Sequence, residues 1–448
     1  MHLLSRTACA VLGLLTASTA AQADPPALHD FTLDNGLRVL VREDHRAPVV
    51  TSQLWLKVGS SHERPGQSGL SHLLEHLVFL GSQKTDPGQF SEILERLGAD
   101  ENAFTSRDLT VYHQTLPREH LEVALELTAD LLNGASLSDA TFASEIDVVK
   151  AERRERVQPG VPALHEQLMA MAHPMSSYRT PVIGWEADLE RATNQEVNDW
   201  YRTWYAPNNA ILVIVGDVTR DSVEAMVRTH FSLLPARPLP TVKTPLELDA
   251  PGLRRLTQVD EHSTPMLYMA FNVPGYGSGL GAHDINALFL AQSLLAQGKS
   301  ARLRSGPAYE QGLLEAAQVT YDPFVRGDAL FILEATVNAS HPQPLATLEA
   351  TLWHALQALK DNPPSDAELQ RAKVQLSATA VYNLDTLEDQ AKDIGVRLGH
   401  GLPLIELAAE QAAIHAVTAA DIQRVASTYF TRERLSTAYL LAKEADHD

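Results

Sequence analysis

Apolar and polar residues along this chain follow two rhythms, and the pair of rhythms occurs twice. Leu54-Trp55-Leu56-Lys57-Val58 alternates with the period of a strand, and Leu267 to Val273 does the same. A helical run ending on glycine follows each, from Leu70 to Gly81 and from Ile285 to Gly298. Ser138-Asp139-Ala140 then opens a long charged helix, and Ser365-Asp366-Ala367 opens its counterpart. Each half closes on a strand, Ile211 to Val215 and Ser436 to Leu441. Between the halves, the proline-rich stretch from Leu233 to Gly252 has no period and reads as a linker. The pattern predicts an α+β chain of two homologous domains, each a mostly antiparallel sheet with packed helices. The expected boundaries are 24–235 for the first domain, 236–252 for the linker and 253–448 for the second domain.

Composition narrows the setting. Of the 448 residues, 44% are hydrophobic and 21% charged, which is globular and gives no sign of disorder. Residues 1–23 read as a secretory signal: Arg6, an apolar run from Ala8 to Leu15, then the Ala21-Gln22-Ala23 cleavage site. That run is too short to span a bilayer, and no later segment is long and apolar enough, so no membrane anchor is expected. The expected destination is therefore outside the cytoplasm, a bacterial periplasm. Cys9, the single cysteine, lies within the signal, so the exported chain would have neither disulfides nor a catalytic thiolate. Any zinc site must then use His and carboxylates. A net charge of −20 argues against nucleic-acid binding.

The chemistry concentrates at His72-Leu73-Leu74-Glu75-His76, with Ser68 as the expected N-cap and Gly81 as the stop. On a helix, positions i and i+4 share a face, so both imidazoles can point at one ion. Glu75 sits beside them as a general base for a water at that ion. This is the inverted form of the HExxH signature. A catalytic zinc takes three protein ligands and leaves one position open, so a third ligand is required. The helix from Phe142 to Arg156 offers Glu145 and Glu152, seven apart and on nearly one face. Spacing alone does not separate them from the glutamates of a solvated helix that pair with Lys150 or Arg153.

The segment SHLLEHLVFLGS resembles the zinc helix of the pitrilysin/insulinase peptidases. That family carries a third ligand, a Glu, about 76 residues after the second His, within a VVxEExR-like segment. In this chain that position is Glu152, within Val148-Val149-Lys150-Ala151-Glu152-Arg153-Arg154, and Ala151 stands where the family often has Glu. The resemblance implies one Zn2+ per chain on His72, His76 and Glu152, with Glu145 supporting the site from behind. Asn102 to Tyr112 resembles the family's NAxTxxDxTxY segment, which begins as an edge strand that pairs with the substrate backbone. Asn102 would contact substrate near the scissile bond, Ala103 and Phe104 would supply backbone partners, and Phe79 would either line the adjoining pocket or belong to the core. Tyr205-Ala206-Pro207-Asn208-Asn209, with Gly216-Asp217, resembles a structural element of the same family. The second half has no HxxEH; aligning Ser365 with Ser138 sets Ala372 opposite Glu145 and Thr379 opposite Glu152.

One departure bears on function. Family members carry an Arg and a Tyr, seven apart, that bind substrate and stabilise the oxyanion. With Arg302-Leu303 and Gly312-Leu313 as anchors, Ala308 and Glu315 occupy those positions here. Arg302 and Tyr309 are also seven apart but out of register. The expected function is a zinc-dependent endopeptidase for short or unfolded peptides, the zinc-bearing subunit of a heterodimer whose homologous partner supplies the Arg/Tyr pair. The alternative is a non-catalytic peptide-binding or assembly subunit.

Overall fold

The structure is a computed structural model that describes residues 27–443 except 280 and 342–343, and omits the side chains of 307 and 308. The expected signal, 1–23, and the side chain of Ala308 lie outside the described residues. The first sheet is built from β1 (Leu28–Thr32), β2 (Arg38–Glu43), β3 (Val49–Leu56), β4 (Asp100–Thr105), β5 (Thr110–Pro117) and β6 (Ala210–Gly216), in the order β1-β2-β6-β3-β5-β4. The second is built from β7 (Arg254–Asp260), β8 (Met266–Pro274), β9 (Leu314–Tyr321), β10 (Asp328–Val337) and β11 (Leu435–Ala442), in the order β7-β11-β8-β10-β9. Apart from β1 the orders correspond strand for strand. Each sheet has a single parallel pair at the same place, β2 with β6 and β7 with β11, and is otherwise antiparallel. The chain is thus α+β with two domains of one fold.

The helices used below are α1 (Leu70–Leu77), α2 (Asp139–Arg156), α3 (Val161–Ala172), α4 (Ala282–Ala296), α5 (Asp366–Tyr382) and α6 (Leu387–Gly399). Strand β8 is followed by α4 as β3 is by α1, and α5 opens as α2 does. Ser138 accepts the backbone N–H of Thr141, and Ser365 accepts that of Glu368, each at the head of its helix. Residues 236–253 carry no helix or strand.

Alternation in β3 suggests one buried and one wet face, but seven of its eight residues are buried. The reason is a reciprocal exchange of helices. One face of the first sheet packs on α1 and its neighbours; the other is covered by α6 from the second half, where Ala391, Ile394 and Leu398 meet Trp55, Val111, Ile211 and Val213. Conversely, Leu164, Leu168 and Ala172 of α3 cover Met266, Tyr268, Ala270, Ala438 and Leu440 of the second sheet. Helix α6 lies so close that a Cβ at Gly395 would meet the Trp55 ring at 2.0 Å. Each half completes the core of the other.

Candidate active site

Helix α1 sets one face to work and buries the rest. Leu70, Leu73, Leu74 and Leu77 enter the core of the first half. His72 and His76, one turn apart, bring their rings to a centroid separation of 4.8 Å, and Glu75 between them is buried. The helix does not start as the sequence suggests. Its N-cap is Gly69, in the left-handed region at φ +90° with no side chain to offer. Glu63 caps it instead, accepting the N–H groups of Gly69 and Ser71, both at 2.8 Å. The expected cap, Ser68, donates to Asp188 at 2.5 Å and accepts the N–H of Trp185.

Helix α2 crosses α1 and presents Glu145 and Glu152 to it. Oε2 of Glu152 lies 3.6 Å from Nε2 of His72 and 3.6 Å from Nε2 of His76. Its other oxygen, Oε1, pairs with Arg156 at 2.6 Å. Oε2 is buried and has no hydrogen-bond partner among the described residues. Ligands held tetrahedrally about 2.0–2.2 Å from a zinc ion sit roughly 3.3–3.6 Å apart, so two imidazoles and an orphaned carboxylate oxygen at this spacing fit the ion. Glu145 Oε1 meets Nδ1 of His76 at 2.8 Å, which fixes that ring's tautomer with Nε2 facing Glu152. Of the basic residues expected to pair with these glutamates, Arg153 turns to Glu166 and Lys150 to Asp147; Arg156 takes only Oε1 of Glu152 and leaves Oε2 to the imidazoles.

Charge follows the geometry. Burial, reinforced by His76 and Arg156, pushes His72 down to about 3, so it is neutral and ready to ligate. Burial also opposes charge on His76, but Glu145, Glu152 and Glu75 outweigh it and raise that imidazole. Burial raises the Glu75 carboxyl, against the pull of a hydrogen bond from Thr105. A raised carboxyl in a partly closed site suits a base that works near neutrality.

That threonine is a site residue that sequence reasoning missed. Thr105 Oγ1 donates to Glu75 Oε2 at 2.5 Å. The signal was available in the alternation of β4, where Thr105 shares a face with the core-packed Ala103. Strand β4 is the free edge of its sheet. Asn102 is exposed, and its Oδ1 accepts the N–H of Ala103 at 2.8 Å. The Phe104 ring points to the opposite face, edge-on to Trp55 and 38% exposed. Its backbone pairs inward with Val111 of β5, so Ala103 but not Phe104 offers backbone groups to the free edge, contrary to the sequence expectation. Phe79 packs edge-on to Phe90 and Tyr112 against the core, with centroid separations of 5.2 and 5.6 Å.

In the second half Glu315 is exposed on β9, the strand that corresponds to β4. Arg302 is committed elsewhere, to Glu368 at 3.2 Å and to the carbonyls of Ala358 and Asn362. Tyr309 is half exposed. No helix among the described residues is long and apolar enough to cross a membrane.

Residues 38–184 match the insulinase domain of peptidase family M16, and residues 191–376 match the peptidase M16 inactive domain. The chain is 28% identical over 439 residues to zinc protease PqqE of Helicobacter pylori, covering 96% of each protein. It is 25% identical over 414 residues to a probable mitochondrial-processing peptidase subunit beta of Arabidopsis thaliana, covering 90% of this chain and 76% of that one. The solved structure of a protease from Helicobacter pylori superposes with a TM-score of 0.85 at 27% identity, covering 93% of this chain and 99% of that one. Two M16 domains in tandem, relatives named as proteases along nearly the whole length and a matching two-domain fold place the chain in the M16 (insulinase) peptidase family.

Proposed function

We propose that the chain is a zinc-dependent endopeptidase for short or unfolded peptides, with one Zn2+ held by His72, His76 and Glu152. The observation that carries this reading is the buried Glu152 Oε2, without a hydrogen-bond partner among the described residues, facing both imidazoles at 3.6 Å, with Glu75 alongside. When bound, the ion supplies Lewis acidity, polarising a scissile carbonyl and sharpening a nearby water as nucleophile. Glu75 takes the proton of the attacking water and returns it to the leaving amine. Glu145 keeps the His76 ring in orientation, and Thr105 keeps Glu75 in orientation. An extended peptide adds to the free edge of β4, where it takes over the Ala103 N–H from Asn102; the backbone of Phe104 faces inward to Val111 of β5 and is not part of that edge. Phe79 contributes beneath this surface, as a wall of the core that shapes the adjoining pocket.

The test is hydrolysis of an unstructured, quenched-fluorescent peptide by the zinc-loaded chain, with Glu75→Gln as the blank. Cleavage that disappears in the variant supports the peptidase. Cleavage that persists in the variant rejects Glu75 as the base, and no cleavage by either protein leaves the incomplete heterodimer and the non-catalytic subunit to be separated by adding the partner.

The reading extends to a heterodimer in which this chain is the zinc-bearing subunit and a homologous partner supplies an Arg/Tyr pair. Ala308 and Glu315 at the family's Arg and Tyr positions support it, as does a relative named as a beta subunit. Loss of an oxyanion donor lowers rate by about 10²–10³, so the chain alone should be slow and the pair fast. The same substitutions, with a domain whose family description is inactive, are what favour the second reading, a non-catalytic peptide-binding or assembly subunit. In that case peptide binds and Glu75→Gln changes nothing. We assign 1–23 to export, which places the mature chain in a bacterial periplasm, and divide the rest at 24–235, 236–252 and 253–448.

A further inference from the structure

Where the two halves meet, one carboxylate gathers four segments of chain. Asp108, 2% exposed, lies in the turn between β4 and β5. Its Oδ1 accepts Ser61 Oγ at 2.6 Å and Arg326 Nε at 2.9 Å. Its Oδ2 accepts Tyr178 OH at 2.5 Å and the backbone N–H of Arg326 at 3.1 Å. Arg326 also donates from Nη2 to Ser61 Oγ at 2.7 Å, and His400, at the end of α6, stands 3.7 Å from Oδ2. Burial opposes the charge on Asp108, yet Arg326, Ser61 and Tyr178 together hold the carboxyl below its usual range. Arg326 and His400 belong to the second half; Asp108, Ser61 and Tyr178 belong to the first.

Both chain directions out of this cluster lead to the site. Three residues before Asp108 is Thr105, the donor to Glu75. Two residues after Ser61 is Glu63, the cap of α1. The two paths are also tied to each other by the N–H groups of Ser60 and Ser61, bonded to the carbonyls of Ser106 and Arg107 at 3.2 and 2.7 Å. A Cβ at Gly59 would meet the Ser106 oxygen at 2.3 Å, so only glycine allows this approach.

We propose that Arg326, from the half that lacks the metal site, is a positioning residue for the catalytic half. Through Asp108 and Ser61 it fixes the end of β4 and the start of α1 in one frame, and so sets where Thr105 stands relative to Glu75. The two domains are thereby coupled by a named, half-buried ion pair as well as by apolar packing. This rests on the peptidase reading, and it gives the second half a duty inside its own chain, separate from anything a partner provides.

The test uses the full zinc-loaded chain, with Arg326→Met and the milder Arg326→Lys. The first readout is hydrogen exchange, which needs no activity. Amides 100–110 should lose protection by tenfold or more in Arg326→Met, while those of β2 and β6 keep theirs and zinc stays stoichiometric. The second is kcat, expected to fall about 10²-fold, as small misplacements of catalytic groups do, with partial rescue in Arg326→Lys. The third is a double-mutant cycle: Thr105→Val should add little once Arg326 is gone, because both act through Glu75. Unchanged protection at 100–110, or fully additive effects on kcat, overturns the proposal. If Arg326→Met does not fold, the same three measurements on Arg326→Lys and Asp108→Asn support or overturn it by the same criteria. If the wild type cleaves nothing on its own, that result bears on the peptidase reading and on its need for a partner, not on the coupling, which hydrogen exchange still decides.

Discussion

Replacing Glu63 by Gln should make the protein relatively more stable as pH rises, although Glu63 caps the helix of the site. Its carboxyl is buried and accepts two backbone N–H groups at 2.8 Å, and burial pushes it up to about 8 against the pull of those bonds. The folded chain therefore holds this proton more tightly than the unfolded chain, whose carboxyl has the ordinary value of 4.5. Stability from the group is fully present below about 4.5 and is lost as pH rises through 8, at about 1.4 kcal/mol per pH unit in between. From pH 5 to pH 7.5 the loss is about 3 kcal/mol. Gln is neutral throughout, so the difference between variant and wild type should move by that amount in the variant's favour over this range. Urea unfolding followed by tryptophan fluorescence measures it. Four of the five tryptophans lie in the first half, with Glu63, and subtracting the two proteins at each pH cancels every titration they share. A difference that stays flat, or that moves toward the wild type, would refute the reasoning. It would mean that the helix N-terminus holds Glu63 ionised and that two N–H groups outweigh burial.

Three further outcomes are expected. Glu145→Gln should weaken zinc binding about 10–100-fold in competition with a chelating dye, because His76 loses the carboxylate that orients it. Ala103→Pro should leave folding intact, since an edge strand tolerates proline, but should raise KM for an extended peptide by tenfold or more by removing the N–H that the peptide would claim. Gly395→Ala should destabilise the chain by about 1–3 kcal/mol, seen as a lower urea midpoint with altered Trp55 emission, because its Cβ would enter the ring at 2.0 Å.

What could be read from the sequence was whatever depends on short spacing. The i, i+4 imidazoles and the paired serines that open α2 and α5 are local signals, and the chain folds locally around them; Glu145 and Glu152 were set apart only by the family resemblance, since their spacing alone fits a solvated helix as well. Contacts set by distant segments were not legible. Ser68 looks like a cap because it precedes an apolar run, but Gly69 takes a left-handed turn that leaves the cap to Glu63. Thr105 looks like one more strand residue until β4 is laid beside α1 and its hydroxyl meets Glu75. Alternation in β3 marks Trp55 and Leu54 as opposite faces but says nothing about what covers each.

The covering of that second face bears on why a metal-free half accompanies the site. If the halves only abutted, the second could serve as a wall and be dispensable to the geometry of the first. They do not only abut. Helix α6 closes the far side of the sheet that carries β4, and α3, which follows the Glu152 helix directly, closes the second sheet in return. The strand order of the first sheet is complete within its own half, but its burial is not, since Trp55, Val111, Ile211 and Val213 would face water without α6. Burying apolar surface of this kind is worth about 25 cal/mol per Å², so removal of the second half would expose a broad apolar face of the sheet whose free edge is β4. The first half is therefore a half in sequence only; the physical unit that holds Glu75, Thr105 and Glu152 in place includes residues up to Gly399 and, through Asp108, the loop that carries Arg326.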